Sequence, residues 1–115
     1  MPLTNTSKEA AAVAVTDLGT YVSLHTADPG TTGASEATGG SPAYARQQTT
    51  WTAGSSDGVV SGSEVTVDAA AATYTHFGIW SAASGGTFVG GGALSSSVTL
   101  AAQGQVKVTP TYTQS

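Results

Sequence analysis

Beyond Gly19 the sequence alternates between apolar and polar residues, and this pattern constrains the fold more than any other feature of the chain. β-Branched and aromatic residues recur at every second position, and Gly, Pro, Ser and Asp interrupt them at short intervals. Such alternation is typical of half-buried strands, whereas helices repeat about every 3.6 residues. We therefore expect a mainly β chain after Gly19.

Two segments show the pattern most clearly. Within 64–70, Val65, Val67 and Ala69 fall on one side and polar residues on the other, which predicts a half-buried antiparallel strand. Segment 73–81 carries large side chains on both sides. It is therefore expected to be a central strand or to contact a neighbouring subunit.

Further short segments complete the β pattern. Short strands separated by turns at this spacing favour a sandwich over a barrel or a solenoid. We expect a single antiparallel, jelly-roll-like β-sandwich of about seven strands, preceded by a short N-terminal helix. The other five strands are predicted at 21–26, 43–52, 88–89, 94–100 and 105–112.

The helix is predicted before the β pattern begins. Thr6 and Glu9 have the spacing of a capping box, the alanines that follow have high helix propensity, and Gly19 supplies a stop. A helix over 6–18 has a thin apolar face and needs to pack on another element. We therefore divide the chain into an N-terminal arm and helix, 1–18, and a β-sandwich domain, 19–115.

Composition excludes several classes of function. The 115 residues include three Lys or Arg and seven Asp or Glu, so no basic patch can neutralise a run of phosphates, and direct binding of nucleic acid is not expected. The absence of cysteine removes disulfides and thiolate metal sites. The longest apolar cluster is too short to insert into a membrane.

Catalytic and metal-binding patterns are also missing. Serines are abundant, but no Gly-x-Ser-x-Gly turn precedes a helix. His25 and His76 are interpreted as structural imidazoles, because two histidines without cysteine do not make a zinc site. We expect no enzyme activity, no cofactor, and no catalytic, cofactor-binding or metal-binding residues.

Four residues are candidates for contact with a partner. Tyr21, Tyr44 and Arg46 are of the types enriched at binding hot spots, and Trp80 lies on the strand predicted to have two large faces. Arg46 has few acids nearby in sequence, so its partner is expected either in the folded chain or on another chain.

Several motifs make the chain similar to a known family. SLHTADPG at 23–30 leads to YAR at 44–46, and FGIWSAASGG at 77–86 is followed by GGGALS at 90–95. This combination resembles small tailed-phage virion proteins of the tail-fibre, minor tail or head-decoration type. The resemblance covers about residues 20–100 and supplies no catalytic residues.

The resemblance implies a non-enzymatic structural protein of the virion, made in the host cytoplasm. Our main expectation is a capsid decoration or cementing protein that acts by multivalent assembly, as a homo-oligomer and possibly a trimer, on the major capsid protein. The alternative is a tail-fibre or minor tail protein, attached to tail proteins. In that case loops 31–41 and 81–92 would bind a glycan or receptor on the host surface.

Overall fold

The computed structural model describes residues 1–114 as one helix and nine strands. Helix α1 spans Asn5–Thr16. The strands in chain order are β1 Tyr21–His25, β2 Gln47–Gln48, β3 Trp51–Ala53, β4 Val59–Gly62, β5 Val65–Ala69, β6 Thr73–Trp80, β7 Phe88–Thr99, β8 Gly104–Val108 and β9 Thr111–Thr113.

Helix α1 begins earlier than predicted, because its N-cap is Thr4 and not Thr6. Its N-cap is Thr4, whose hydroxyl accepts a hydrogen bond from the Ser7 N–H at 3.2 Å. Glu9, the expected box partner of Thr6, instead accepts from the Gly58 N–H at 3.1 Å. The Glu9 carboxylate therefore makes a tertiary contact and does not cap the helix. Helix α1 packs against β3, β4 and β9.

Four strands form the main sheet, in the order β2-β1-β6-β7 and with antiparallel neighbours throughout. Strand β6 lies inside this sheet, as its two large faces predicted. One face carries Val22, Leu24 and Ile79 into the core. The other face is covered by the long loop 26–46, so both sides of β6 are sheltered from solvent.

The remaining strands build a bent ribbon that lies against the main sheet. Strands β5 and β8 pair with each other. Strand β4 pairs with β9 on one side and with β3 on the other. The Gly62 N–H donates to the Pro110 carbonyl at 2.8 Å, so hydrogen bonding continues between the two pairs. The alternation predicted for 64–70 is confirmed, because Val65, Val67 and Ala69 are all buried.

The mainly β, antiparallel fold with a short N-terminal helix is confirmed, but a single jelly-roll-like sandwich of seven strands is not. Residues 1–114 form three sheets, partly because the predicted strand 43–52 divides into β2 and β3. Thr49, between them, is buried, and its hydroxyl donates to the Ser63 carbonyl at 2.7 Å. This bond directs the chain from one sheet into the next.

Two other predicted boundaries also differ. Segments 88–89 and 94–100 join into the single strand β7, because the three intervening glycines pair with β6. A Cβ on Gly91 would lie only 2.5 Å from the Phe77 carbonyl oxygen, so the ladder needs glycine there. The predicted strand 105–112 divides into β8 and β9 at Pro110, which has no N–H to donate.

The described chain is elongated, with principal extents of 46 × 27 × 23 Å. No helix within residues 1–114 has the length and apolar character needed to cross a bilayer. The division into 1–18 and 19–115 stays a prediction, and Ser115, at its end, lies outside the described residues.

Candidate interaction site

Loop 26–46 crosses the outer face of the main sheet and brings distant parts of the sequence together. It is tied to the end of β1 by the Ala37 N–H, which donates to the Leu24 carbonyl at 2.8 Å. Gly33 lies so close to the Trp80 ring that a Cβ there would be 2.4 Å from a ring carbon. The loop is therefore packed on the sheet and does not project freely from it.

Arg46 and Glu36 form the central ion pair of this loop. The Nε and Nη2 of Arg46 donate to the two carboxylate oxygens of Glu36 at 2.8 and 2.9 Å. The Arg46 side chain is 8% exposed and that of Glu36 22%. A bidentate pair with this little exposure fixes both side chains more firmly than an ordinary surface ion pair does.

Arg46 also joins loop 26–46 to the turn between β6 and β7. Its Nη1 donates to the carbonyls of Ala82 and Gly85 at 3.0 and 2.8 Å. The guanidinium carbon lies 3.8 Å from the centre of the Trp80 ring, a distance suited to a cation–π contact. One side chain thus holds loop 26–46, turn 81–87 and the end of β6 in a fixed arrangement.

Tyr44 completes this cluster. Its hydroxyl donates to Glu36 at 2.7 Å and accepts from the Leu24 N–H at 3.1 Å. Burial, together with the hydrogen bond to Glu36, raises the pKa of Tyr44. Burial opposes ionisation of Glu36, but the hydrogen bonds from Arg46 and Tyr44 outweigh it and lower the pKa of that carboxyl. The cluster therefore holds an ionised Glu36 and a neutral Tyr44.

A second polar network lies beneath the loop. In it a serine hydroxyl contacts a histidine ring, as a catalytic nucleophile contacts its base. The Ser23 Oγ and the His25 Nε2 are 2.7 Å apart, and the His25 Nδ1 lies 2.8 Å from the Ala34 carbonyl. Since a carbonyl only accepts, Nδ1 carries the proton in the neutral ring and Ser23 donates to Nε2. The Trp80 Nε1–H donates to the same Ser23 oxygen at 2.9 Å.

This network has the properties of a structural element. Ser23 and His25 are both 0% exposed, and every ring nitrogen and hydroxyl in it has a partner within the chain. No substrate can reach the hydroxyl in this arrangement. These contacts agree with the interpretation of His25 as a satisfied structural imidazole, which stays a prediction.

The buried His25 predicts a loss of stability in mild acid. Burial lowers the pKa of His25 below its usual value of 6.5, so as the pH falls through that value the unfolded chain takes up the proton first. The free energy of unfolding is then expected to decrease between pH 7.5 and pH 5.5, whereas it is fully retained above the unfolded pKa. Urea unfolding at the two pH values measures the difference.

A His25→Gln variant is the control for this prediction, since it keeps hydrogen-bonding capacity but cannot titrate. The variant is expected to be less stable overall and to lose most of the pH dependence in this window. An equal decrease in the wild type and in His25→Gln would contradict the assignment to His25.

The four predicted contact residues lie in one region. Tyr44, Arg46 and Trp80 belong to the clusters described above, and Tyr21 pairs with Trp80 across β1 and β6, which places the two side chains on the same face. The partner of Arg46 is within the chain. Sequence reasoning did not identify Glu36 as the partner of Arg46. The available signal was that Glu36 is the only acid between Pro29 and Arg46.

Comparison with families of known proteins gives a match that covers almost the whole chain. A family model described as "Podophage GP4 fiber I protein gp80" matches residues 4–114. A comparison with curated proteins finds no match. Within residues 1–114, no group of three or more His, Asp or Glu side chains is placed to hold a metal ion.

Proposed function

Because the chain belongs to the family of podophage fibre proteins described as fiber I protein gp80, we propose that it is a fibre-type component of the phage tail that contributes to contact with the host surface. Membership of this family makes the chain a phage structural protein of the virion. The tail location and the host contact are the proposal, and a glycan or protein receptor of the cell envelope is the partner.

The observation that carries the proposal is the bridging of two loops by Arg46. The sequence suggested 31–41 and 81–92 as contact loops, and the structure places 88–92 in strand β7. Loop 31–41 and turn 81–87 are held side by side through Glu36, Ala82 and Gly85. A surface that is already ordered loses less conformational entropy on binding. This surface, which we call the loop surface, presents exposed hydroxyls that include Thr31, Thr32, Ser81, Ser84 and Thr87.

The four contact candidates have different parts in this proposal. Tyr21 is partly exposed beside the loop surface and is proposed to touch the partner. The polar groups of the other three, Tyr44, Arg46 and Trp80, make hydrogen bonds within the chain. These residues are therefore proposed to position the loops. Their direct contact with a partner stays a prediction.

A capsid-decoration role was the main expectation from the sequence, and the family description supports the alternative better. Fibre proteins act at the tail, where few copies are present and a presented surface matters more than reinforcement of a lattice. We therefore favour the tail-fibre interpretation, and a role without enzyme activity, because the matching family is one of fibre proteins.

We further propose that residues 1–18 attach the protein to the particle. Met1 and Leu18 are the large hydrophobic side chains that the described residues leave exposed, and apolar side chains of this kind suit a protein interface. Cross-linking of intact virions through Lys8, on α1, is the test. Links to another virion protein are expected, and links found only within this protein would contradict the attachment.

The host contact is tested with variants of the loop surface that leave its supports in place. Thr32→Glu and Ser84→Glu put charge on exposed positions that make no side-chain hydrogen bond within residues 1–114. Binding of the labelled protein to host cells is expected to fall by about tenfold or more, the usual cost of one disrupted contact at a binding surface.

The matched control is Ser56→Glu, which adds the same charge to an exposed position near Gly58, where the N-terminal half of α1 is bound. It is expected to bind as the wild type does. Equal binding by all three variants, or no binding by the wild-type protein to any host envelope, would overturn the proposed host contact.

A further inference from the structure

Two long strand edges lie open on one side of the molecule. Within residues 1–114, β7 pairs only with β6, at the edge of the main sheet. Strands β8 and β9 pair only with β5 and β4, so their outer sides form the edge of the bent ribbon. At about 3.3 Å per residue, each edge has a length of roughly 30 to 40 Å.

A groove runs between these edges, with mainly apolar walls beside Ile79 and Val89 and mixed polar and apolar walls beside Glu64 and Lys107. It consists of two adjoining clefts of about 400 and 550 Å³, which share Phe77, Ala93 and Thr111 in their walls. Strand β7 lines one side and the ribbon lines the other. Gly90 and Gly92 line this groove and put no side chains on the face that Ile79 and Phe77 share. We call it the edge groove.

The two edges differ in how they are protected from pairing with another chain. Natural proteins commonly protect an exposed edge with Lys, Pro or a bulge. The ribbon edge has Lys107 and Pro110. Strand β7 has neither a charged residue nor a proline, and its pairing with β6 is irregular on both sides of the regular run Gly90–Ala93. The run Gly90–Ala93 is thus an unprotected part of the β7 edge.

The charges of the edge groove indicate what fills it. Glu64 and Lys107 are the only charged residues that line it, and within residues 1–114 neither makes an ion pair or a side-chain hydrogen bond. A groove with one acid and one base at its wall suits a partner that brings one base and one acid to the same place. A second copy of this chain brings both, together with an uncharged edge strand.

We propose that the edge groove is the contact between copies of this chain, with an edge of a second copy entering it and Glu64 of one copy opposite Lys107 of the other. Backbone hydrogen bonds to β7 and burial of Phe77 and Leu94, which are partly exposed in one copy, would stabilise the contact. The inference rests on packing and charge, and it does not depend on host contact by the loop surface.

Charge exchange tests the proposal directly. Glu64→Lys and Lys107→Glu each place like charges opposite each other in the assembled protein, so each is expected to raise the dissociation constant by about tenfold or more. An equal mixture of the two variants restores opposite charges across the contact. The mixture is therefore expected to reassemble, and sedimentation velocity over a wide range of concentration measures this.

The outcomes separate cleanly. A wild-type dimer or trimer that each variant weakens and their mixture restores supports the proposal. A wild-type protein that is monomeric at every concentration overturns it, as does an oligomer whose stability neither variant changes. Because the readout is oligomeric state, failure of this inference is distinguishable from failure of host binding.

A second pair of variants tests the edge itself. Ala93→Lys adds a charge to an exposed position in the run Gly90–Ala93 of β7 that lines the groove, and it is expected to dissociate the oligomer, because a charged residue on an edge strand opposes pairing with another chain. Ser56→Lys, at an exposed position away from the groove, is the matched control. Equal oligomerisation of the two variants would count against pairing through β7.

Discussion

Arg46→Ala is expected to lower the free energy of unfolding by about 3 kcal/mol, at the lower end of the range for breaking a buried ion pair, because Glu36 keeps some exposure. The variant leaves Glu36 without its bidentate partner. It also removes the donor to the carbonyls of Ala82 and Gly85 and the cation above the Trp80 ring. Urea unfolding at neutral pH measures the loss.

The same variant is expected to weaken binding to host cells even where it remains folded. Without Arg46, turn 81–87 is no longer held beside loop 26–46, so the loop surface loses its order before binding. Arg46→Lys keeps the charge but cannot make the fork to Glu36 and both carbonyl contacts, and an intermediate effect is expected. Full stability and binding in Arg46→Ala would show that the bridge is dispensable.

A double-mutant cycle isolates the ion pair from the other contacts. Glu36→Ala combined with Arg46→Ala is expected to cost less than the sum of the two single losses, since each single variant strands the other charge. Strict additivity would mean that the two side chains do not interact in solution as they do in the structure.

Gly78→Ala is expected to destabilise the protein by a similar amount, about 3 kcal/mol, through overpacking and a lost buried hydrogen bond. A Cβ on Gly78 would lie 2.5 Å from the Ser23 Oγ and 2.8 Å from both the His25 Nε2 and a Phe88 ring carbon. All three atoms belong to the tightly packed layer between β6 and loop 26–46. The methyl group therefore forces apart Ser23 and His25.

Two comparisons make the Gly78 prediction specific. Gly90→Ala, on the neighbouring strand, meets no atom within 4 Å and is expected to change stability by less than about 1 kcal/mol. Removing the closest atom with Ser23→Ala should make a second change, Gly78→Ala, less costly. Equal stability of Gly78→Ala and Gly90→Ala in urea unfolding would contradict this account.

The sequence was informative where one local pattern had one structural meaning. The alternation of Val65, Val67 and Ala69 requires a single buried face, and the structure has it. The two large faces of 73–81 require cover on both sides, which the core and loop 26–46 supply. These patterns depend on period alone and not on where the rest of the chain lies.

Other features depend on contacts between distant residues and could not be predicted in this way. Gly90–Gly92 has the composition of a loop, yet it forms a strand because it pairs with β6. At Gly91 the backbone of Phe77 passes too close for a side chain. Thr4 and Thr6 both suit a helix N-cap, and the choice follows from the contact of Glu9 with Gly58. The pairing of Glu36 with Arg46 spans a glycine-rich loop whose path no local pattern defines.

The position and copy number of the protein on purified virions test the central claim most directly. Quantitative protein analysis against the major capsid protein, supported by electron microscopy of labelled particles, gives both values. A fibre-type component is expected at the tail in a small number of copies. A number of copies close to that of the capsid protein, spread over the head lattice, would contradict the account and restore the decoration role.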